Sequence, residues 1–206
     1  MSKGMEILYK VHNGLYVNLT NRCPCACTFC LRQTRETVGE STSLWLEREP
    51  SAEEVIAAFD AWDMESFDEL VFCGFGEPTE ALPVLLETAR YAKEHFGIPV
   101  RVNTNGLGNL IWGRDITPEL EGAVDRVSIS LNTPDPEAYL ALVRPKFGAG
   151  SFEALLDFAR RAAAHVPEVT LTTVETTISR EEERRCRQIC RELGVNYRIR
   201  AWEGGN

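Results

Sequence analysis

The chain has 206 residues, of which 44% are hydrophobic, and its formal net charge is −9 at pH 7. This length and composition predict one well-buried globular domain over residues 1–206. The acidic balance argues against broad binding to a nucleic-acid backbone, which needs clustered lysine and arginine, but it leaves room for a small basic site. No run approaches the ~20 apolar residues that span a bilayer. The N-terminus also lacks the apolar core of a signal peptide, so we expect a cytoplasmic protein.

Two strand-like runs open the chain, Ile7 to Val11 and Leu15 to Leu19, and an Asn-Gly pair between them is typical of a tight hairpin. The second run leads into a segment with four cysteines within eight residues, Cys23 to Cys30. The following stretch, Leu31 to Pro50, is polar and aperiodic. A loop this long in a compact domain is usually functional, such as a lid, or else mobile. We therefore treat residues 20–50 as one loop that carries the cysteines.

From residue 51 onward, helical and strand-like segments alternate. Helices are predicted for residues 51–62, 82–96, 118–124, 135–143, 151–166 and 180–193, with a glycine directly after the second and the last. Short strands are predicted for residues 69–73, 99–103, 126–131, 169–173 and 195–201. Parallel neighbours need crossovers long enough to hold a helix, so this order predicts a parallel sheet. Six strand-then-crossover units favour a doubly wound sheet or a partial barrel.

In both architectures the loops after the carboxyl ends of the parallel strands face one common mouth. Four of these loops carry chemistry-bearing residues: Cys23 to Cys30, Gly74 to Thr79, Thr104 to Gly106, and Asn132 with Thr133. A single site built from the four loops is the economical prediction.

Cys23, Cys27 and Cys30 follow a C-x3-C-x2-C spacing, in which a tight loop can turn three thiolates toward one metal centre. In a reducing compartment such a cluster of thiols indicates a metal more often than disulfides. Iron–sulfur clusters are usually held by four cysteines, so three leave one iron open to a non-protein ligand. The competing interpretation is a structural zinc ion with Cys25 as its fourth ligand, although this leaves the other loops without a purpose.

The pattern C-x3-C-x-aromatic-C, matched by Cys23, Cys27, Phe29 and Cys30, resembles the defining motif of the radical SAM superfamily. More narrowly, residues 17–30 (VNLTNRCPCACTFC) and residues 44–50 (LWLEREP) look like those of the TatD-associated radical SAM branch. The resemblance implies a partial (β/α)6 TIM-like barrel with a short N-terminal β-hairpin strand, here without an auxiliary-cluster domain.

The same resemblance implies an oxygen-sensitive enzyme with a 4Fe–4S cluster whose open iron is chelated by S-adenosylmethionine. One electron, from a reductant such as flavodoxin or ferredoxin, cleaves the sulfonium bond, and a 5′-deoxyadenosyl radical then abstracts hydrogen from the substrate. The cofactor carries the hard chemistry and the protein positions it. We expect a small substrate that is anionic or nucleotide-related, and a functional link to a TatD-family hydrolase.

Residues that contact the cofactors also follow from the resemblance. Gly74-Phe75-Gly76-Glu77-Pro78 is similar to the family's G-G-E-P segment, which holds the methionine amino end through backbone groups and the glutamate, although Phe75 departs from it. A plain strand-to-helix turn is the alternative for this loop. The remaining candidates are polar residues at the ends of the predicted strands 99–103 and 126–131 and the arginine directly after the predicted helix 135–143. They are Asn103, Asn105, Ser130, Asn132 and Arg144. Ser130 is expected at the ribose, with an ordinary core serine as the alternative. Arg144 is expected at the methionine carboxylate, with a solvent-exposed arginine as the alternative.

Arg198 and Arg200 alternate with Tyr197 and Ile199 in the last predicted strand, so both arginines face one side. If that side is the barrel interior, they need an anion such as a substrate carboxylate or phosphate. If it is the rim, they are solvated. The sequence also leaves two other functions open: an activating enzyme that generates a glycyl radical on a partner protein, and a non-catalytic metal-binding or electron-transfer module.

Overall fold

The computed structural model describes residues 4–33, 35 and 37–201. In this part of the chain, seven strands form one open sheet in sequence order, with β1 antiparallel to β2 and all later neighbours parallel. The strands are β1 Leu8–Val11, β2 Gly14–Val17, β3 Glu69–Phe72, β4 Val100–Thr104, β5 Arg126–Ser130, β6 Glu168–Val174 and β7 Asn196–Arg200. This order confirms the predicted partial barrel of six parallel strands with an N-terminal hairpin.

Helices cover one side of the sheet and connect its parallel strands. They are α1 Ala52–Ala58, α2 Leu82–Phe96, α3 Gly108–Trp112, α4 Pro136–Val143, α5 Ser151–Ala162 and α6 Arg180–Leu193. Ser51 and Ser179 each form a capping box at the start of a helix, and Gly97 and Gly194 end helices in the left-handed conformation. None of the helices in the described residues is long and apolar enough to cross a bilayer.

The structure differs from the sequence-based expectations in three local details. The helix expected at residues 118–124 is a single 3-10 turn, Thr117–Leu120, whereas the five-residue helix α3 just before it is too short to show a helical period. Ser151, a residue type that commonly caps helices, is instead the first residue of α5, and its hydroxyl donates to the carbonyl of Gly148. The predicted hairpin forms with His12 in the left-handed conformation, at φ of 51°, and the glycine of the Asn-Gly pair is already the first residue of β2.

The two faces of the sheet differ in character. The helix-covered face carries the apolar core, to which β3, β4 and β5 each contribute two large residues: Leu70, Phe72, Val100, Val102, Val127 and Ile129. The opposite face, which we call the inner face, carries polar residues because side chains alternate along each strand. Residues paired across a ladder point to the same face, so Asn103, Ser128, Thr170 and Asn196 form one row of the inner face.

Strand register settles which side the β7 arginines face. Ser130, Thr172 and Arg198 form the next inner-face row toward the carboxyl ends, and Val174 with Arg200 forms the row beyond it. Tyr197 points to the other side, where its hydroxyl hydrogen-bonds with that of Thr173 at 2.6 Å. Both arginines therefore lie on the inner face, although β7 is an edge strand and leaves them exposed.

Candidate active site at the carboxyl ends of the strands

The cysteine loop, residues 18–30, follows β2 and is held by backbone pairing with the segment at the end of α4. The amide of Ala26 donates to the carbonyl of Val143 at 3.1 Å, and the amide of Lys146 donates to the carbonyl of Pro24 at 2.8 Å. Cys25 and Pro145 form an antiparallel bridge between these two bonds. The loop is thus held in one conformation by a distant part of the chain.

The four thiols of this loop are not equivalent. Cys25 is 4% exposed and belongs to the apolar core, while Cys23, Cys27 and Cys30 are half-buried. Hydrogen bonding with the Cys25 thiol lowers the pKa of Cys23 and of Cys27, and it raises the pKa of Cys25 itself. Burial raises the pKa of Cys30. Three thiols are therefore half-buried, and the fourth is buried beside two of them.

Within the described ranges, no group of three or more cysteine, histidine, aspartate or glutamate side chains is placed to hold a single metal ion. In a cubane cluster each thiolate binds a different iron, so the ligands stand farther apart than those of one ion. Soft thiolate donors are the set that iron–sulfur clusters select. The donor chemistry of Cys23, Cys27 and Cys30 fits such a cluster.

The glycine-rich loop after β3 packs directly on the start of the cysteine loop. A Cβ atom on Gly76 would lie 2.2 Å from the carbonyl oxygen of Thr20 and 2.7 Å from that of Arg22. The amide of Glu77 donates to the same Arg22 oxygen at 2.8 Å. Gly74 is equally confined, because its Cβ would lie 2.1 Å from Oδ1 of Asn18. Contact with protein backbone therefore requires glycine at Gly76, whereas sequence reasoning attributed the small residue to close approach of a ligand.

Glu77 is the centre of a buried hydrogen-bond network. Its side chain is 3% exposed, and its Oε1 accepts from the hydroxyls of Thr79 and Thr104 at 2.8 and 2.7 Å and from the amide of Thr79 at 3.2 Å. Its Oε2 accepts from the amide of Asn105 at 2.8 Å. Burial raises the pKa of this carboxyl group, and these hydrogen bonds act in the opposite direction. Glu77 thus ties the loop after β3 to the loop after β4.

Asn105 connects this network to the thiols. Its Oδ1 accepts from the amide of Leu107 at 2.8 Å, which fixes the side chain, and its Nδ2 lies 3.9 Å from Sγ of Cys23. Asn103 lies deeper on the inner face, where its Oδ1 accepts from the guanidinium of Arg101 at 2.8 Å. Of the two predicted asparagines, only Asn105 reaches the cysteine loop among the contacts of the described residues.

The other predicted cofactor residues surround the mouth. Asn132 is buried, adopts a left-handed φ of 65° and donates from its side chain to the carbonyl of half-buried Ser130 at 3.3 Å. Arg144 ends α4 with a φ of 48° and an exposed side chain, and its carbonyl accepts from Ala26 at 3.3 Å. Phe29 is 40% exposed within the cysteine loop. Ser130 and Asn132 thus lie at the carboxyl end of β5 and Arg144 joins the cysteine loop through its backbone, whereas Asn103 lies deeper on the inner face.

A second unpredicted contact joins the cysteine loop to the end of the long loop before α1. The side chain of Asn21 donates to the carbonyl of Leu46 at 2.7 Å and accepts from its amide at 3.0 Å, and Asn18 donates to the carbonyl of Leu44 at 2.9 Å. Arg22 binds Glu49 through two bonds of 2.6 and 2.9 Å. Residues 44–49, the second half of the long loop, are therefore anchored against the cysteine loop.

Sequence reasoning missed Tyr139, which lies on the buried side of α4. Its side chain is fully buried in the same core cluster as Cys25, and its hydroxyl has no hydrogen-bond partner in the part of the chain that the structure describes. Burial raises the pKa of this hydroxyl, and the nearby thiols, Cys25 first, add to the effect. A buried donor without an acceptor is costly. A sulfide or thiolate of a bound cluster would supply that acceptor, so the orphaned hydroxyl fits the group as well.

Comparison with known proteins agrees with this geometry. The family model described as the Radical SAM superfamily matches residues 17–199. A GTP 3′,8-cyclase from Limosilactobacillus fermentum is 26% identical over 176 residues, which are 84% of this chain and 49% of the relative. The chain therefore spans about half the length of the curated relative it matches.

Two solved structures share the fold. A radical SAM methyltransferase from Sphaerobacter thermophilus superposes with a TM-score of 0.65 at 17% identity, covering 96% of this chain and 69% of the other. Streptococcus suis SuiB bound to S-adenosylmethionine also gives a TM-score of 0.65, at 14% identity, covering 93% of this chain and 40% of SuiB. At these identities the likeness is one of fold.

Proposed function

The chain belongs to the radical SAM superfamily, and we propose that it is an enzyme that cleaves S-adenosylmethionine reductively and abstracts hydrogen from a small anionic or nucleotide-related substrate. The cofactors of the family are a 4Fe–4S cluster and S-adenosylmethionine, which together supply a 5′-deoxyadenosyl radical that abstracts hydrogen from the substrate. The protein's part is to bind these groups, orient them and exclude water.

We assign the cluster to Cys23, Cys27 and Cys30, the three half-buried thiols of the loop. Cys25 stays outside the proposed ligand set because it is only 4% exposed, and its thiol hydrogen-bonds with those of Cys23 and Cys27. Asn105 donates toward Sγ of Cys23 from the other wall of the mouth. Hydrogen bonds to cluster sulfurs tune the reduction potential, so Asn105 has a tuning role in addition to a positional one.

S-adenosylmethionine is proposed to bind along the loops after β3, β4 and β5. The loop with Gly74 and Gly76 presents backbone groups to the methionine end, and Glu77 holds that loop against Asn105. Ser130 and Asn132 face the ribose, Arg144 pairs with the carboxylate, and Phe29 covers the bound cofactor. Support for Glu77 is its position as buried anchor of two loops, which differs from the direct contact that the motif implied.

The observation that carries the proposal is the fixed cysteine loop, with three half-buried thiols presented beside the Glu77 network. The experiment is anaerobic reconstitution with iron and sulfide, followed by addition of dithionite and S-adenosylmethionine. We expect 5′-deoxyadenosine and methionine in equal amounts, quantified by liquid chromatography. A fully loaded protein that forms no 5′-deoxyadenosine would refute the proposal and would favour an electron-transfer module.

We further propose membership of the TatD-associated branch, with flavodoxin or ferredoxin as reductant and a TatD-family hydrolase as functional partner. The support is that the two stretches typical of the branch, residues 17–30 and 44–50, contact each other through Asn18, Asn21 and Arg22. Similarity to a GTP 3′,8-cyclase favours a nucleotide-related substrate. Incubation of the loaded enzyme with GTP and deuterium-labelled nucleotides, followed by mass spectrometry of 5′-deoxyadenosine, tests that substrate class.

A further inference from the structure

Below the mouth, the inner face of the sheet contains a cavity of about 660 Å³. It is bounded by the amino-terminal halves of β3 to β7, and its walls are almost entirely polar. The lining residues are Asp68, Glu69, Arg101, Arg126, Val127, Ser128, Glu168, Thr170, Asn196, Tyr197 and Arg198. A polar cavity of this size on the barrel interior has room for a small metabolite.

Most charges in the cavity are already neutralised. Arg101 binds Glu69 through two bonds of 2.6 and 3.0 Å, with only 13% of its side chain exposed. Arg126 lies 3.5 Å from Glu69 and 3.4 Å from Glu168, so these two arginines and two glutamates balance. The remaining carboxylate, Asp68, accepts from the side-chain amide of Asn13 at 3.2 Å. Arg198 is different, because it has no hydrogen-bond or ion-pair partner anywhere in the described chain. The hydroxyl of Ser128, on the same cavity wall, also lacks a protein partner among those residues.

Of the residues that line the cavity, Arg198 lies nearest to the carboxyl ends of the strands when positions are compared along the strand register. Its strand position pairs with Thr172, and Thr172 pairs with Ser130. Arg198 therefore lies one inner-face row closer to the carboxyl ends of the strands than Ser128, Thr170 and Asn196. A ligand held by Arg198 would lie on the side of the cavity that faces the mouth.

The adjacent arginine is also felt on the inner face. Burial raises the pKa of the Cys73 thiol directly after β3, and the charge of Arg200 on β7 is one of the effects that oppose this rise.

We propose that the cavity is the substrate subsite for an oxyanion, carboxylate or phosphate, bound by the Arg198 guanidinium with the Ser128 hydroxyl as a further donor. A planar guanidinium fork matches both oxyanions in bidentate geometry. The subsite rests on the proposed function, because it places the rest of the substrate beneath the radical source. The subsite selects substrates that carry a terminal anionic group. The carbon atom that loses hydrogen then lies at the mouth.

The test uses the anaerobically reconstituted protein and isothermal titration calorimetry, with inorganic phosphate and glutarate as separate probes. We expect at least one probe to bind, and Arg198→Gln to weaken that binding about tenfold or more. Arg198→Lys keeps the charge but loses the fork, so it should recover part of the affinity. Ser128→Ala should weaken binding about threefold. Whichever probe binds more tightly identifies the substrate group as phosphate or carboxylate.

Arg184→Gln is the matched control, since it removes the same charge from an exposed position of α6 outside the cavity. It should leave binding within twofold of the wild type. Equal losses in both variants, or no binding of either probe to the wild type, would overturn the subsite. Formation of 5′-deoxyadenosine is measured in parallel on the same samples. Its loss with intact probe binding would refute the proposed function alone, and its retention with no probe binding would refute the subsite alone.

Discussion

The β2–β5 side of the mouth and the β7 edge differ in how many of their polar side chains form hydrogen bonds or ion pairs within the protein. On the first side Glu77 accepts four hydrogen bonds, Asn21 pairs with both backbone groups of Leu46, and Arg22 binds Glu49. On the second side Arg198 has no partner in the described residues. In the proposed assignment, the cofactor end is fixed before any cofactor binds and the β7 end is left for a ligand, so substitutions at the two ends should fail in different ways.

The largest expected effect separates two cysteines of the same loop. Cys27→Ala should abolish the iron–sulfur absorbance near 400 nm after reconstitution, and 5′-deoxyadenosine formation with it, because a cluster ligand is removed. Cys25→Ala should retain the absorbance, since that thiol lies in the core. Iron and sulfide analysis of both variants checks the result. Equal loss in the two proteins would mean that the ligand set is wrongly assigned.

A smaller but still severe effect is expected at the contact between the two loops. Gly76→Ala would force a methyl group against the carbonyls of Thr20 and Arg22. Overpacking of this kind costs about 2 kcal/mol, and displacement of the cysteine loop should also reduce cluster loading. Urea denaturation of the cluster-free protein measures the first effect and iron content the second.

Gly150→Ala is the control for that substitution, because a Cβ at Gly150 meets nothing within 4 Å and its φ is not left-handed. Its free energy of unfolding should stay within about 0.5 kcal/mol of the wild type. If the two alanine variants were equally stable, the cysteine loop would be able to shift away from the added methyl group far more easily than its hydrogen bonds indicate.

The Glu77 network predicts a similar or slightly smaller loss. Glu77→Gln keeps the shape of the side chain but replaces a charged acceptor with an amide, one end of which is a donor facing other donors. We expect a loss of about 1.5 kcal/mol in the free energy of unfolding. Glu94→Gln, at an exposed position of α2, should be neutral. Chemical denaturation at pH 7 compares them, and a neutral Glu77→Gln would remove Glu77 as the anchor of the loops.

The smallest effect concerns the orphaned hydroxyl of Tyr139. Tyr139→Phe should leave the stability of the cluster-free protein unchanged or slightly higher, because no hydrogen bond is lost. In the loaded protein it should lower the cluster midpoint potential by on the order of 40 mV, since a donor to sulfur is removed. Spectroelectrochemistry measures this shift, and Tyr91→Phe on α2 is the control. A potential equal to that of the control would show that the hydroxyl does not reach the cluster.

Local signals in the sequence were sufficient for much of this molecule. Capping residues such as Ser51 and Ser179 act within one helical turn, and the spacing of Cys23, Cys27 and Cys30 is contained in one loop. Helix α3 escaped detection because five residues do not complete two turns, and the hairpin turn used a histidine where an asparagine–glycine pair was the stronger signal.

What the sequence could not supply were contacts between distant segments. Two contacts follow from packing and not from any motif: the backbone hydrogen bond between Lys146 and Pro24, and the pairing of Asn21 with Leu46. The orientation of Arg198 was undecided until strand register placed it beside Thr172. Tyr139 looked like an ordinary apolar residue of α4, and only its unpaired hydroxyl distinguishes it.

The backbone pairing between the cysteine loop and residues 143–146 also has a consequence for the order in which the protein folds during biosynthesis. Pro24 and Ala26 depend on partners in residues 143–146, which leave the ribosome long after the cysteines do. Domains acquire such long-range contacts only once the intervening chain is available. The thiols therefore reach their final arrangement after most of the barrel has been synthesised. We therefore expect a chain that ends before α4 to lack the backbone contacts that hold Pro24 and Ala26 in place.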